Sequence, residues 1–324
     1  MDLQIAFIHT RTFPPIHLFL NYHRTASILK SCDVWLLHDR DVGVKTLFPK
    51  QVAFRRSTEE IELETVYKYP KNFRNNFWFS SLVRLSLLAR FMNLSNKPTI
   101  HVESDVVLAQ DFPMKEFSQI PTPFAYPIVS NERGVASTLF VRDREAANFL
   151  WQFSKIVVKQ NPLASDMQIL FELWKRHSEL VTRLPSSPSY LYREFTQKQQ
   201  NIDFSGCFDG HDFGIYIGGT NPWNKRGVSE IRSKIKGSHL VFDYDSIFYD
   251  KSRKFVSIHN KGVDTVPLYS LHITSKSPIF FTRRLLAPFL RIWLQCYLRI
   301  KKTFHPFVFA IMVIKSLKRK FNRL

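Results

Sequence analysis

The chain has 324 residues, of which 44% are hydrophobic and 23% charged, and its 46 Lys+Arg against 27 Asp+Glu give a net charge of +19. This composition is that of a folded globular protein with enough chain for one large domain or two medium ones, and it excludes a disordered or fibrous chain. The 3 cysteines are far apart, so they indicate neither a disulfide scaffold nor a paired-cysteine metal site, and we expect a reducing compartment.

The amino-terminal part of the chain predicts a parallel sheet with crossover helices. An apolar run at 3–9 has the length of a strand, residues 16–29 carry apolar side chains at helical spacing, and 33–37 (DVWLL) is a second short apolar run. Strand, helix and strand in this order form the unit from which parallel sheets are built. Residues 42–75 give no clear assignment.

The rest of the chain predicts further helices and strands in alternation. Helices are expected at 77–92, 144–160 and 166–177, and strands at 99–108, 124–130 and 135–142. The Ser-, Pro- and Gln-rich segment 185–204 indicates a surface loop. A hairpin is expected from 242–247 and 255–259, followed by a last strand and loop at 267–276.

Two carboxylates interrupt the apolar strand HVESDVVL, at Glu103 and Asp105. Alternation along a strand would place them on the same side. Burying two like charges is costly unless a cation or hydrogen-bond donors satisfy them, and a divalent metal that bridges a diphosphate would do so. A surface turn with two solvated acids is the alternative interpretation.

A second polar cluster lies in the glycine-rich stretch 206–224, which contains Asp209 and His211. Asp and His can supply acid/base groups or contacts to sugar hydroxyls, and glycines let a backbone approach a ligand closely. Trp223 could stack on the face of a sugar. An ordinary turn region, with Asp and Asn as turn formers, is the alternative.

These motifs together resemble the core of nucleotide-sugar glycosyltransferases of the GT-A fold, especially the retaining glycogenin and LPS-galactosyltransferase type. A helix with Arg84-Leu85 leads to a strand ending in Glu103-Ser104-Asp105-Val106-Val107, where that family usually has Asp-x-Asp. Ser165-Asp166-Met167-Gln168 matches an Asp-Gln that opens a helix, and the segment 270–276 (SLHITSK) matches a late metal-binding His. The stretch 208–224 also resembles bacterial surface-polysaccharide glycosyltransferases.

The resemblance implies an α/β fold, a single GT-A (Rossmann-like) mixed sheet flanked by helices, and a set of site residues. The implied metal ligands, for Mn²⁺ or Mg²⁺, are Asp105, Glu103 and His272. The implied contacts to the nucleotide-sugar donor are His9, Thr10, Asp39, Arg84, Ser104 and Lys276. The candidate catalytic residues are Asp209 and His211, from the acid/base chemistry of the glycine-rich stretch, and Asp166, for which a helix N-cap is the alternative. Acceptor contacts are expected at Gly218, Gly219 and Trp223.

The last 46 residues form a basic tail. Residues 279–324 contain 11 Lys+Arg and no Asp or Glu, so the preceding 278 residues, with 35 basic against 27 acidic, carry only +8 of the net charge of +19. Between 285 and 302, basic and apolar side chains recur at helical spacing, which favours an amphipathic helix lying on an anionic membrane surface. A packed terminal helix with a solvated basic tail is the alternative.

We therefore expect a GT-A-like domain at 1–278 and a membrane-associating tail at 279–324. No apolar run is long enough to span a bilayer and no secretory signal is evident, so we expect a cytoplasmic protein bound peripherally to the inner face of the membrane. The predicted function is a metal-dependent glycosyltransferase that acts on a glycan or lipid-linked acceptor. The alternatives are a non-catalytic membrane-associated scaffold with a transferase-like fold and a basic nucleic-acid-binding protein, although no nucleic-acid-reading motif is present.

Overall fold

The structure, a computed structural model, describes most of the first 273 residues. The described ranges are 2–10, 15–39, 47–69, 76–130, 133–186, 202, 204–210, 213–214, 247–250, 252–253, 255–260 and 263–273. Several predicted features lie outside the described residues: His211, Gly218, Gly219, Trp223, Lys276 and the tail 279–324.

Within these ranges, short strands alternate with helices along the chain. The strands of the first two thirds are β1 (Gln4–His9), β2 (Asp33–His38), β3 (Gln51–Ala53), β4 (Thr99–Val102), β5 (Val106–Leu108), β6 (Phe124–Ser130), β7 (Arg133–Gly134), β8 (Thr138–Val141) and β9 (Val181–Leu184). The helices are α1 (Ile16–Ile28), α2 (Thr58–Val66), α3 (Phe77–Ser95), α4 (Met114–Phe117), α5 (Arg144–Gln160) and α6 (Asp166–Arg176). The later strands are β10 (Cys207–Phe208), β11 (Ile247–Asp250), β12 (Phe255–Asn260) and β13 (Val263–His272). None of the helices in the described ranges is long and apolar enough to cross a membrane.

The main sheet is mixed, as predicted. Its strands run in the order β3-β2-β1-β4-β8-β6-β7, and β9 pairs with β6. The first four strands are parallel to one another, whereas β8 is antiparallel to β4. Because successive residues of a strand point to opposite faces, Ala6 and Ile8 pack with α3 while Ile5 and Phe7 pack with α1. The sheet is thus buried on both faces, which explains why its strands read as continuous apolar runs.

The predicted strand at 99–108 is wrong in one respect that matters for the site. The structure has two strands, β4 and β5, separated by a turn that contains Glu103, Ser104 and Asp105. β5 leaves the main sheet and pairs antiparallel with β13 in a second, smaller sheet. The two acids therefore lie at the junction of two sheets rather than along one strand.

The unassigned stretch 42–75 contains β3 and α2. Ser57 caps α2 through a capping box with Glu60, a signal that is visible in the sequence as S-x-x-E. The carboxylate of Glu60 is fully buried and also accepts a hydrogen bond from the Ser86 hydroxyl, at 2.6 Å. This buried hydrogen bond joins α2 to α3.

Helix α6 begins with a capping box that fixes the position of Asp166. The Ser165 hydroxyl accepts a hydrogen bond from the Gln168 amide at 3.3 Å, and the Gln168 side chain accepts one from the Ser165 amide at 2.9 Å. We expect Ser165→Ala to lower the free energy of unfolding by about 1 kcal/mol in urea titrations, because the Gln168 amide loses the hydroxyl that accepts its hydrogen bond. Ser27→Ala, which removes a hydroxyl bonded to a carbonyl within α1, is the control. Equal stability of the wild type and Ser165→Ala would contradict the assigned cap.

Candidate active site

Pairing between β5 and β13 brings together residues that are far apart in the chain. His272 lies opposite Val106, the residue that follows Asp105. The amide of Ile273 donates a hydrogen bond to the Asp105 carbonyl at 2.7 Å, so the pairing continues to the turn itself. The predicted metal ligands are thus gathered at one place by backbone pairing.

The three predicted ligands form one compact, buried cluster. The His272 Nε2 atom lies 3.4 Å from Asp105 Oδ1 and 3.6 Å from Glu103 Oε2. One ligand atom from each residue can be chosen so that all three lie within 4.8 Å of one another. The residues are only 7–9% exposed, which distinguishes them from the solvated acids of an ordinary surface turn.

The ring of His272 is oriented by a backbone carbonyl. Its Nδ1 atom lies 3.1 Å from the Gly210 oxygen, an acceptor, so Nδ1 carries the hydrogen. The other nitrogen, Nε2, consequently faces Asp105 and Glu103. Metal-bound histidines commonly have this arrangement, in which one ring nitrogen donates to a carbonyl and the other binds the ion.

Arg84 lies beside the cluster and pairs with two acids. Its guanidinium contacts Glu103 at 2.6 Å and Asp166 at 3.2 Å. Helix α3 supplies the arginine and the first turn of α6 supplies Asp166, so this buried network joins two helices to the Glu103 turn. The partners of Arg84 in this structure are these two carboxylates, and its predicted contact with donor phosphates stays a prediction.

The charges of the cluster are mutually dependent. Burial by itself disfavours the imidazolium of His272, but Asp105, followed by Glu103, outweighs that effect and raises the pKa of His272 to about 10. Burial likewise favours neutral Glu103, yet Arg84 and then His272 hold the pKa of Glu103 below its usual range. Burial raises the pKa of Asp166 to about 6, with Arg84 opposing the shift. In the absence of a metal, therefore, His272 carries a proton that neutralises part of the acidic charge.

His272 and each of the two carboxylates lie close enough together to bind the same divalent cation. Two atoms that each bind one ion at about 2.0–2.2 Å are at most about 4.4 Å apart, and both imidazole–carboxylate distances, 3.4 and 3.6 Å, are within that limit. Two carboxylates also supply the negative charge that such an ion requires. The residues present could therefore hold a metal ion.

Asp209, predicted as a catalytic residue, lies in the interior of the protein. Its side chain is completely buried, and its oxygens accept hydrogen bonds from the backbone amides of Phe213, Gly214 and His272. Its catalytic role stays a prediction. Asp209 connects β13 to the segment around residue 213.

The predicted donor contacts at the ends of strands lie at the same edge of the main sheet as the acidic turn. Phe7 pairs with Val102, so His9 and Thr10 continue from β1 beside the turn that follows β4. Asp39 follows β2, the parallel neighbour of β1. Open α/β sheets bind ligands at this carboxyl edge, and the contacts of these residues, and of Ser104 within the turn, stay predictions.

Two residues that the sequence analysis did not single out support the acidic turn from α1. Asn21 donates to the carbonyls of Ser104 at 3.2 Å and Val106 at 2.7 Å, and Arg24 donates to the Leu108 carbonyl at 2.5 Å. Both side chains are buried. The available signal was a pair of polar residues among the apolar positions of α1, because a polar group on a buried face needs a specific partner.

Comparison with known proteins finds similarity only among solved structures. No protein-family model and no curated protein sequence matches this chain. Mouse xyloside xylosyltransferase 1 is 10% identical over 57% of this chain and 86% of its own, with a TM-score of 0.39. The galactosyltransferase LgtC, in complex with donor and acceptor sugar analogs, is 10% identical over 56% of this chain and 73% of its own, with a TM-score of 0.40. An active-site mutant of LgtC is 13% identical over 62% of this chain and 80% of its own, with a TM-score of 0.42.

These matching structures are glycosyltransferases.

Proposed function

We propose that the protein is a metal-dependent glycosyltransferase that uses a nucleotide-diphosphate sugar as donor. The observation that carries this proposal is the buried cluster of Glu103, Asp105 and His272 at the carboxyl edge of the sheet. A nucleotide diphosphate brings charged oxygens that a cation in this cluster would bind, and the edge of an open α/β sheet is where a nucleoside binds. The proposed acceptor is a glycan or a lipid-linked sugar used in surface polysaccharide or glycolipid synthesis.

Each residue of the cluster has a separate part in this mechanism. Asp105 and His272 would be the principal metal ligands, with help from Glu103, and the mixed oxygen and nitrogen donors favour Mn²⁺ over Mg²⁺. The bound metal would neutralise the charge that develops on the departing diphosphate. Arg84 holds Glu103 in place and keeps it ionised through their 2.6 Å contact. Asp166, joined to the same guanidinium, is the candidate that orients the acceptor or stabilises the positive charge at the sugar.

A nucleotide-sugar panel tests the proposal most simply. Thermal unfolding would be followed with each donor in the presence of Mn²⁺ and again with EDTA. A ligand at 100 times its Kd stabilises a protein by about 2.7 kcal/mol, so a true donor should raise the Tm clearly, and only with metal. Stabilisation by RNA or DNA but by no nucleotide sugar would favour the nucleic-acid-binding alternative. Failure of every donor would favour the non-catalytic scaffold.

The pH dependence of metal binding provides a separate test. Because the pKa of His272 is about 10 in the metal-free protein, a cation that binds its Nε2 near neutral pH must displace one proton. We expect Mn²⁺ affinity to fall about tenfold for each unit by which the pH is lowered in this range. Calorimetry in buffers of different ionisation enthalpy should count about one proton released per ion. An affinity that does not change with pH would exclude His272 as a ligand.

Membrane association through the tail is proposed from the sequence. Residues 279–324 contain 11 Lys+Arg and no acidic residue, and each basic residue near an anionic surface contributes about 1 kcal/mol. Deleting 279–324 is expected to abolish sedimentation with vesicles that contain anionic lipid, while the cluster of the preceding domain still binds Mn²⁺. Vesicles of neutral lipid are the control. A truncated protein that still sediments with anionic vesicles would show that the tail is not the anchor.

A further inference from the structure

Asp209 has an unusual set of partners for a buried acid. Its Oδ1 accepts a hydrogen bond from the Phe213 amide at 3.1 Å. Its Oδ2 accepts hydrogen bonds from the amides of Gly214 at 2.6 Å and His272 at 2.9 Å. One carboxylate thus fixes the backbone of a candidate metal ligand to a segment about 60 residues earlier.

The same segment leaves almost no room between its backbone and that of His272. A Cβ atom added to Gly214 would lie 1.7 Å from the His272 carbonyl oxygen and 3.0 Å from Asp209 Oδ2. Only glycine fits at such a separation. The contact on this side of β13 is therefore one of backbone against backbone.

Gly210, the residue after Asp209, contacts the ring of His272. Its carbonyl accepts the hydrogen bond from His272 Nδ1, at 3.1 Å. A Cβ added to Gly210 would lie 2.2 Å from Val129 Cγ1, so this residue packs tightly against β6. The position of the accepting carbonyl is consequently set by the main sheet.

The contacts of Asp209 and Gly210 with His272 determine the orientation of the His272 side chain as well as joining two segments of the backbone. Burying a carboxylate costs free energy, and burial accordingly raises the pKa of Asp209. A neutral side chain could join two backbone segments without that cost. The carboxylate fixes the main chain of His272 while Gly210 fixes its ring. Together they leave the imidazole with one possible direction for Nε2, toward Asp105 and Glu103.

We infer that Asp209 is a positioning residue for the metal centre. With Gly210 and Gly214 it forms a clamp that preorganises His272 as a ligand. This inference rests on the proposed metal site, but it concerns residues that do not touch the ion. Groups that orient metal-bound histidines typically change metal affinity about 10–100-fold when they are removed.

The test measures Mn²⁺ affinity without any nucleotide sugar, by calorimetry on the full chain. Asp209→Asn keeps the shape of the side chain but places an NH₂ group where a carboxylate oxygen accepts hydrogen bonds from backbone amides. We expect the Mn²⁺ affinity to fall about 10–100-fold while the circular dichroism stays unchanged. Asp143→Asn is the matched control. Asp143 also accepts a hydrogen bond from a backbone amide, that of Ala146. It follows the end of β8 that pairs with Thr99, so it lies at the edge of the main sheet opposite to the acidic turn.

Amide hydrogen exchange of the wild-type protein provides a second measurement that needs no variant. The amides of Phe213, Gly214 and His272 should be protected without metal, because each donates to the buried carboxylate. Rapid exchange of these amides would overturn the clamp, as would unchanged Mn²⁺ affinity in Asp209→Asn. If the wild-type protein binds no Mn²⁺, both the proposed metal site and the clamp fail. Binding by wild type and Asp209→Asn alike rejects the clamp and retains the site.

Discussion

Asp105→Asn is expected to abolish metal-dependent sugar transfer while the protein keeps its fold. The amide that replaces the carboxylate leaves one acidic ligand, Glu103, which is already paired with Arg84 at 2.6 Å. A cation then lacks the charge that holds it in a buried site, and the leaving diphosphate loses its neutralising partner. We expect kcat/KM to fall at least about 1,000-fold, which corresponds to about 4 kcal/mol of lost transition-state stabilisation.

The control for this substitution is Asp2→Asn, since Asp2 is an exposed acid whose partner, Lys97, is also at the surface. It should leave both transfer and Mn²⁺ affinity unchanged. In EDTA, Asp105→Asn should keep the circular dichroism of the wild type but have a lower Tm, because buried His272 loses the nearer of its two acidic neighbours, at 3.4 Å, and keeps only Glu103, at 3.6 Å. Activity of Asp105→Asn within about twofold of the wild type would exclude a metal role for Asp105.

Arg84→Met is expected to have the largest effect on stability. Two carboxylates, Glu103 and Asp166, share this guanidinium, and all three side chains are at most 13% exposed. Removing one partner from a buried ionic network leaves uncompensated charge and typically costs about 3–5 kcal/mol. Urea denaturation of the metal-free protein measures this loss as a change in the free energy of unfolding.

Arg144→Met is the matched control, because Arg144 pairs with Glu145 at an exposed position. It should not change stability measurably. A triple variant, Arg84→Met with Glu103→Gln and Asp166→Asn, should recover part of the loss, since the stranded charges are then removed as well. If Arg84→Met unfolds at the same urea concentration as the wild type, Arg84 does not hold the network as described.

Local patterns in the sequence are sufficient to predict most helices and strands up to residue 184. The apolar runs at β1 and β2 and the long periodic stretch of α3 appear where the sequence places them. Such signals are local, because burial of a strand or of one helix face needs only the spacing of apolar residues. The mixed sheet and the joint position of Glu103, Asp105 and His272 were expected from the family resemblance, and the structure places those three residues together.

Local patterns do not predict features that depend on partners distant in the chain, except where the family resemblance indicates them. The turn between β4 and β5 is created by the pairing of β5 with β13, more than 150 residues later, and no local pattern specifies that pairing. For the same reason, the burial of Asp209, in a glycine-rich stretch that predicts either a catalytic site or a turn, could not be foreseen. Its burial follows from hydrogen bonds to residues 213, 214 and 272, which the sequence alone does not bring together.

Anomalous X-ray scattering from crystals grown with Mn²⁺ and a nucleotide diphosphate would show whether Glu103, Asp105 and His272 hold a metal ion. We expect one strong manganese peak bonded to Asp105 and to Nε2 of His272 at about 2.0–2.2 Å, with Glu103 alongside and diphosphate oxygens completing the coordination. A manganese peak elsewhere in the protein, or diphosphate bound with no metal between it and these three residues, would contradict this expectation.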